Sequence, residues 1–210
     1  GVVSDLPKPM APIRGVPFLS YILNQLDNNG FTKVILAVGY MGDKIQEFYG
    51  LKYKNIDLAY SYEDSPLGTG GCIVKSLNLV DDKYVFIING DTYFDIDFTK
   101  LTQPKNVKIV CKYINDVGRY GKVIFGKNHI VTAFKEKGSN DPGYINGGIY
   151  YIYKNVFKNF IVKDKFSLEK DFFEKFISEL DIEVHISDGY FIDIGIPEDY
   201  ERAQNELKVK

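Results

Sequence analysis

Residues 85–91 read VFIINGD, and this stretch decides the fold class. Its β-branched and aromatic residues predict a buried strand that leads, through a glycine, to the carboxylate of Asp91. Residues 190–195 read YFIDIG and place Asp193 at the end of a second apolar strand. Open α/β folds bind ligands at the carboxyl edge of the sheet, so two such carboxylates on neighbouring strands could hold one Mg²⁺ together with substrate phosphates. Taken alone, each aspartate could equally cap a turn.

Outward from this stretch, apolar runs alternate with helical patterns. This alternation predicts an α/β fold, a Rossmann-like three-layer sandwich with a mostly parallel mixed sheet. From residue 107 onward strand candidates follow one another with few helices, which predicts a small mixed or antiparallel sheet extension. The predicted strands are 34–38, 56–60, 84–88, 107–113, 122–125, 130–136, 145–153 and 182–186, and the predicted helices are 43–49, 70–77, 157–160, 166–180 and 197–208.

Length and composition narrow the class of protein. With 210 residues, 45% hydrophobic and 26% charged, the chain predicts one ordinary globular domain. With a net charge of −2, the protein has no overall positive potential that would attract a nucleic acid. The longest apolar run is far shorter than the roughly 20 residues of a membrane span. Cys72 and Cys111 lack metal-ligand spacing, and no secretory leader is visible, which favours a reducing cytoplasm.

Six short segments follow one another along nearly the whole chain. They are LPKPMAP at 6–12, PLGTGG at 66–71, NGD at 89–91, FKEK at 134–137, NGGIY at 146–150 and FIDIG at 191–195. In this order they resemble the sugar-1-phosphate nucleotidyltransferases, and among these the D-glycero-α-D-manno-heptose 1-phosphate guanylyltransferases. The resemblance implies a single nucleotidyltransferase domain of glycosyltransferase-A-like architecture. Its nucleotide-binding part would span about 1–105, its sugar-binding part about 106–195 and its C-terminal helix 197–208.

The start of the sequence departs from the family pattern. Family members carry a strand and a Gly-Gly-x-Gly-Thr-Arg-Leu loop directly upstream of the Pro-Lys-Pro-Met segment, and this sequence starts where that loop should end. Two explanations stay open. Either roughly 15 to 20 residues precede the sequence given, in keeping with the mobility of phosphate-binding loops, or the chain lacks the strand and loop.

The resemblance implies a reaction and its catalytic residues. A phosphate oxygen of a sugar 1-phosphate would attack the α-phosphorus of a nucleoside triphosphate, and pyrophosphate would leave. Because two anions must meet, catalysis consists mostly of positioning and charge neutralisation. The resemblance assigns this work to Lys8, Asp91 and Asp193, with the two aspartates holding Mg²⁺. Lys8 lies between two prolines that stiffen its loop, although it could also be a solvated loop lysine.

Residues 63–71 are expected to bind the base, because glycines between a strand and a helix allow close approach of a planar ring. The Glu63 carboxylate could accept from both adjacent donors of guanine, whereas uracil and thymine offer a single N–H. We therefore expect GTP. The alternative is that Glu63 is an exposed strand end. The expected nucleotide-binding residues are Glu63, Pro66, Leu67, Gly68, Thr69 and Gly90.

The sugar site is expected on the second half of the chain. By resemblance, its carboxylates and amides would bind vicinal hydroxyls and its lysines would neutralise the sugar phosphate. The expected residues are Tyr120, Gly121, Glu136, Lys137, Asn146, Gly147, Glu169 and Lys170. Glu169 and Lys170 could instead form the solvated face of a helix capped by Ser167.

The expected activity is transfer of GMP from GTP to D-glycero-α-D-manno-heptose 1-phosphate, giving GDP-heptose for a bacterial surface polysaccharide. Two alternatives stay open: the same chemistry with another nucleotide or sugar, such as mannose 1-phosphate, and a non-catalytic nucleotide-sugar sensor. A glycosyltransferase would use a short Asp-x-Asp motif, and Asp95 and Asp97 have that spacing, but the preceding Asn-Gly-Asp is the stronger signal. No nucleic-acid or membrane partner is expected, and the resemblance leaves a homodimer open.

Overall fold

The computed structural model describes residues 5–135, 137–138 and 141–208. The strands are β1 (Pro12–Ile13), β2 (Val16–Pro17), β3 (Lys33–Val38), β4 (Lys52–Tyr53), β5 (Ile56–Tyr62), β6 (Tyr84–Ile88), β7 (Thr92–Phe94), β8 (Val107–Ile114), β9 (Lys122–Phe125), β10 (Val131–Lys135), β11 (Gly143–Tyr153), β12 (Ile182–Ile186) and β13 (Phe191–Asp193).

The helices are α1 (Phe18–Asn28), α2 (Gly42–Tyr49), α3 (Gly68–Leu77), α4 (Ile177–Leu180) and α5 (Pro197–Glu206). Short 3₁₀ turns occur at Lys8–Met10, Phe98–Lys100 and Val156–Asn159, and Leu168–Glu174 forms a π-helix. Within the described ranges, no helix combines the length and the apolar character needed to span a membrane.

The backbone forms two compact units. The first unit contains the described parts of residues 1–66, 89–97 and 190–210, and the second contains 67–88 and the described parts of 98–189. The chain therefore passes between the units several times. The division at about residue 105 into nucleotide-binding and sugar-binding parts stays a prediction, because compactness of the backbone does not report which ligand a unit binds.

In the first unit, β3 and β5 pair in parallel, with Val38 opposite Tyr62, and β4 pairs antiparallel with β5. β7 and β13 form a separate antiparallel pair. Helix α1 lies almost entirely in the core of this unit, with every residue from Phe18 to Leu26 buried. This helix was not among the predicted elements.

In the second unit, the sheet order is β12-β8-β11-β6. β12 runs parallel to β8, whereas β11 is antiparallel to both β8 and β6, and β9 and β10 form a hairpin-like antiparallel pair. The core of the unit is rich in aromatic rings, among which Phe172 and Phe173 are fully buried.

The expected α/β fold with mixed sheets is confirmed, and most predicted elements are present to within one to three residues at each end. Among the described strands, only the β3–β5 and β8–β12 pairs are parallel, so the sheets are less parallel than expected. An apolar run identifies a buried strand but carries no information on its direction. The predicted helix 166–180 occurs as the π-helix followed by α4, because a pattern of this length does not separate the two helix types.

Candidate active site

Lys8 and Asp91, expected to be catalytic, lie next to each other in the first unit. Lys8 begins the 3₁₀ turn that follows Pro7, and its Nζ lies 3.6 Å from Oδ2 of Asp91. Their side chains are 53% and 35% exposed, so both remain accessible to a ligand. A Cβ on Gly90 would lie 3.3 Å from Cγ of Pro9, so the glycine permits the close approach of the two segments. The Pro-Lys-Pro and Asn-Gly-Asp segments thus form one local site.

Asp193 joins this site through the β7–β13 pair. In the register of the two strands, Asp193 stands opposite Thr92, the residue after Asp91. The backbone N–H of Ile194 then donates to the carbonyl oxygen of Asp91 at 3.0 Å. The structure therefore brings together the backbones of the two aspartates that are about a hundred residues apart in sequence.

The carboxylate of Asp193 is held by the backbone that follows it. Oδ1 accepts a hydrogen bond from the N–H of Gly195 at 2.6 Å. A Cβ on Gly195 would lie 2.7 Å from the same oxygen, closer than a carbon and an oxygen atom approach without a bond. The glycine therefore permits the hydrogen bond that orients the carboxylate.

The donor set of this site suits a hard divalent cation that also binds substrate. Within the described residues, no cluster of three or more His, Cys, Asp or Glu side chains is arranged to hold a metal. Asp91 and Asp193 offer two carboxylates. Mg²⁺ is usually bound by one or two carboxylates, with water and substrate phosphates in its other positions. Two aspartates without a third protein ligand fit that pattern.

Glu63 follows β5 at the carboxyl end of the parallel β3–β5 pair, also in the first unit. Its backbone N–H donates to the carbonyl oxygen of Val38 at 2.9 Å, and the residue is half-buried. Pro66, three residues further on, is exposed. The position of Glu63 is the edge at which parallel strands meet ligands.

Leu67, Gly68 and Thr69 belong to the second unit, where they pack against the chain around Phe166. The N–H of Phe166 donates to Leu67 O at 3.0 Å, and Gly70 N–H donates to Phe166 O at 3.0 Å. Gly68 has a φ of +73°, and a Cβ there would lie 2.5 Å from Phe166 O. The Thr69 hydroxyl accepts from the N–H of Leu168 at 2.9 Å. The loop is thus tied to the segment that leads into the π-helix.

Asn146 and Glu169 of the expected sugar site meet in the second unit, and Tyr150 joins them. Asn146 Nδ2 donates to Glu169 Oε1 at 2.6 Å and to the Tyr150 hydroxyl at 2.8 Å. The Tyr150 hydroxyl lies 3.2 Å from Glu169 Oε1. The β8–β11 register shifts between Asn146 and Tyr150, and Gly147, which lies in this shift, is buried.

Tyr120, Gly121 and Lys137 of the expected sugar site lie at other places in the second unit. Tyr120 and Gly121 end a turn closed by hydrogen bonds from their N–H groups to Val117 O. Lys137 is exposed and forms no ion pair or hydrogen bond with another described residue. Lys170 lies exposed beside Glu169, and its N–H donates to the Ser167 hydroxyl, as expected for a helix cap. Glu136 lies outside the described residues.

No part in a functional site was expected of Gly195, Phe166 or Tyr150, although Phe166 was expected in the core. For Gly195 and Tyr150 the sequence contains a pattern that could have indicated their contacts. A glycine two residues after an acidic strand end allows its N–H to reach the carboxylate, and Asn146 and Tyr150 lie four residues apart on one strand. Phe166 had no such signal, because its contacts with the 67–71 loop span about a hundred residues of sequence.

Comparison with known proteins gives consistent matches over almost the whole chain. The sequence profile of the family described as "Nucleotidyl transferase" matches residues 2–210. The D-glycero-α-D-manno-heptose 1-phosphate guanylyltransferase of Aneurinibacillus thermoaerophilus is 44% identical, over 99% of this chain and 92% of that protein. The enzyme of the same name from Campylobacter jejuni is 42% identical, over 95% and 90%. The crystal structure of HddC from Yersinia pseudotuberculosis complexed with GMP-PN matches with a TM-score of 0.87 and 33% identity, over 98% of this chain and 92% of that one.

Proposed function

The chain belongs to the nucleotidyl transferase family, and from that premise we propose that it transfers GMP from GTP to D-glycero-α-D-manno-heptose 1-phosphate, releasing GDP-heptose and pyrophosphate. The observation that carries the proposal is the group of Lys8, Asp91 and Asp193 in a chain 44% identical to a heptose 1-phosphate guanylyltransferase. The guanine nucleotide analogue named with the Yersinia protein supports GTP as the donor.

The proposed reaction needs little covalent help from the protein. An oxygen of the sugar phosphate attacks the α-phosphorus of GTP, the bond from that phosphorus to the bridging oxygen breaks, and pyrophosphate leaves. Both substrates are anions, so the main tasks are to hold them in line and to offset their repulsion. Lys8 performs part of the second task as a compact positive charge on a flexible stem. Its exposure leaves it free to reach a phosphate.

Asp91 and Asp193 would hold the metal ion. Enzymes of this family generally use a divalent metal, and we infer Mg²⁺ because two carboxylates completed by phosphate oxygens match its preferences. When bound, the ion would neutralise charge on the phosphates. The hydrogen bond from Gly195 to Asp193 supports this role, since it fixes one carboxylate in advance.

Glu63 would select guanine, because one ionised carboxylate accepts from two adjacent donors. Pro66, Leu67, Gly68, Thr69 and Gly90 would complete the nucleotide site, mainly through their backbones. The Thr69 hydroxyl already accepts a hydrogen bond from Leu168 N–H, which favours a supporting role for this side chain.

Asn146 and Glu169 would bind hydroxyls of the sugar, and Lys137 and Lys170 would offset the charge of its phosphate. The contact between Asn146 and Glu169 supports a common site for these two. Tyr120, Gly121, Glu136 and Gly147 are proposed members of the same site.

Release of pyrophosphate tests the proposal. Four nucleoside triphosphates are assayed against heptose, mannose and glucose 1-phosphates with Mg²⁺, and we expect the highest kcat/KM for GTP with the heptose phosphate.

Asp91→Ala and Asp193→Ala should lower kcat by at least about 100-fold, the loss typical of a removed electrostatic contact in an active site. Asp188→Ala is the matched control, because this aspartate lies exposed in a loop of the second unit.

Circular dichroism and a urea titration establish that the aspartate variants remain folded. Unchanged Mg²⁺-dependent turnover in either variant would refute the metal assignment. Wild-type protein that binds GTP but releases no pyrophosphate with any sugar phosphate would refute the activity and favour a nucleotide-sugar sensor.

A further inference from the structure

Tyr150 is the buried member of the polar group that also contains Asn146 and Glu169. The residue is 2% exposed, and its hydroxyl lies 2.8 Å from Asn146 Nδ2 and 3.2 Å from Glu169 Oε1. An ionised carboxylate only accepts hydrogen bonds, so the hydroxyl donates to Glu169 and accepts from Asn146. Burial, followed by the nearby Glu169 charge, raises the pKa of Tyr150 well above its ordinary value. The hydroxyl therefore keeps its proton.

The orientation of the Asn146 amide is determined by its partners. Oδ1 accepts from the N–H of Gly148 at 3.0 Å, while Nδ2 faces the carboxylate of Glu169. A reversed amide would point its oxygen at a carboxylate and its NH₂ at another N–H, and both contacts would be repulsive. Nδ2 has two hydrogens, and the bonds to Glu169 and Tyr150 use both. Asn146 keeps only acceptor capacity, on the second lone pair of Oδ1.

Glu169 also offers only acceptors. Its Oε1 takes hydrogen bonds from Asn146 and Tyr150, and its Oε2 has no hydrogen-bond partner among the described residues. The residue is exposed, so Oε2 can accept from a ligand. Asn146 and Glu169 thus present accepting oxygens and no free N–H or O–H.

We propose that Tyr150 is a positioning residue that makes Asn146 and Glu169 an acceptor-only site, which selects sugar hydroxyls that donate. The inference rests on the proposed function, because it takes the ligand to be the sugar of a sugar 1-phosphate. Without the Tyr150 hydroxyl, one hydrogen of Asn146 Nδ2 loses its acceptor and the amide loses one of the contacts that orient it. The amide can then turn and donate to a ligand as well as accept from it. Tyr150 therefore controls which substituents the site accepts, although the hydroxyl itself touches no substrate.

A fluorine substituent distinguishes a site that only accepts hydrogen bonds from a site that can also donate them. It is similar in size to a hydroxyl and accepts weakly, but it cannot donate. We measure calorimetric affinity and kcat/KM for heptose 1-phosphate and for its monodeoxy and monodeoxyfluoro analogues at each hydroxyl in turn. At the hydroxyls that meet Asn146 and Glu169, both analogues should bind roughly 10- to 100-fold more weakly than the parent, as expected for loss of a hydrogen bond to a charged or polar acceptor. Fluorine should restore no affinity.

Tyr150→Phe tests the positioning role. We expect KM for the sugar phosphate to rise severalfold while KM for GTP stays unchanged, and the fluoro analogue to bind better than the deoxy analogue because the freed Asn146 hydrogen donates to fluorine. Tyr151→Phe is the matched control. It lies next along β11, its ring stacks on Phe86 at 4.1 Å, and its hydroxyl has no hydrogen-bond partner among the described residues.

Each outcome decides a different claim. A wild-type protein that binds every fluoro analogue as well as the parent overturns the acceptor-only site, and this series needs no variant to fold. An unchanged analogue pattern in folded Tyr150→Phe overturns the role of Tyr150. Wild type that shows the expected binding pattern but releases no pyrophosphate refutes the proposed function and leaves this inference standing. Failure to bind any sugar phosphate refutes both.

Discussion

At the scale of single residues, Gly195 determines where one carboxylate points. Its N–H donates to Asp193 Oδ1 at 2.6 Å, and an added Cβ would lie 2.7 Å from that oxygen. The atom in the way is the end of a side chain that can rotate about χ1 and χ2. Alanine at this position should therefore be tolerated by the fold but should turn the carboxylate away from its present direction.

We expect Gly195→Ala to raise the Mg²⁺ concentration needed for half-maximal turnover by about 10-fold, equal to about 1.4 kcal/mol, because the lost hydrogen bond is to a charged group. A Mg²⁺ titration of pyrophosphate release measures the change, and a urea titration measures stability. Gly39→Ala is the control, since its Cβ meets nothing nearer than 4.0 Å. An unchanged Mg²⁺ requirement would show that the orientation of Asp193 is unimportant.

At the scale of elements, the glycines at the start of α3 allow the 67–71 loop to lie directly on the chain around Phe166. A Cβ on Gly70 would come within 2.0 Å of the Phe166 ring, and one on Gly71 within 2.3 Å of the carbonyl oxygen of Asp164. Phe166 is 5% exposed and belongs to the core of the second unit. The glycines proposed to admit a base therefore also serve packing.

Gly70→Ala should lower the free energy of unfolding by about 1–3 kcal/mol, the usual cost of overpacking a core. In a helix interior, alanine is up to about 1 kcal/mol more favourable than glycine. The measured loss in the free energy of unfolding is therefore the cost of overpacking minus this gain. Phe166→Leu should make room for the added methyl group. The double variant should then be more stable than the sum of the two single changes predicts, with a coupling of about 0.5–3 kcal/mol.

Urea unfolding of the four proteins in this cycle measures the coupling. Additive effects would mean that the added Cβ and the Phe166 ring do not meet. An increase in stability from Gly70→Ala alone would mean that the loop moves freely enough to avoid the ring.

The elements also show which parts of the structure the sequence could predict. Strand β6 and the residues up to Asp91 carry a strong local pattern, and the predicted bounds of this strand agree residue for residue. The strand was also expected to be buried, whereas all five of its residues are half-buried. Helix α1 was missed although Phe18, Ile22, Leu23 and Leu26 recur at helical spacing after Pro17. The prolines of the preceding segment indicate a loop, but the periodic pattern after Pro17 is that of a helix.

The candidate site also has parts that the sequence could predict and parts that it could not. Asp91, Asp193 and Lys8 were chosen from short motifs, and the structure brings them together. Their role in catalysis stays a prediction. The contacts of Tyr150 and Phe166 could not be predicted from sequence, because each depends on a register or a loop contact between distant segments. Local chemistry is visible in a sequence, but the partners of a buried hydroxyl are not.

At the scale of the whole molecule, the charge balance explains why a local site is needed. The chain carries 26 basic and 28 acidic residues, a net charge of −2. Such a protein exerts no general attraction on two anionic substrates. In the proposed function, binding of GTP would then depend on a few lysines and on the metal held with the phosphates, and the stability gained from GTP should depend on that metal.

Thermal unfolding tests this dependence on the intact protein. Ligand that binds only the folded state at 100 times its Kd adds about 2.7 kcal/mol, or roughly 5–10 °C in Tm for a chain of this size. We expect that shift with GTP and Mg²⁺, a much smaller one with GTP and EDTA, and no fall in the Tm of the ligand-free protein on adding EDTA. Asp193→Ala should show the small shift with or without Mg²⁺. If EDTA lowers the Tm of the ligand-free protein as well, the metal is structural, and the view that two carboxylates bind it chiefly together with substrate phosphates is wrong.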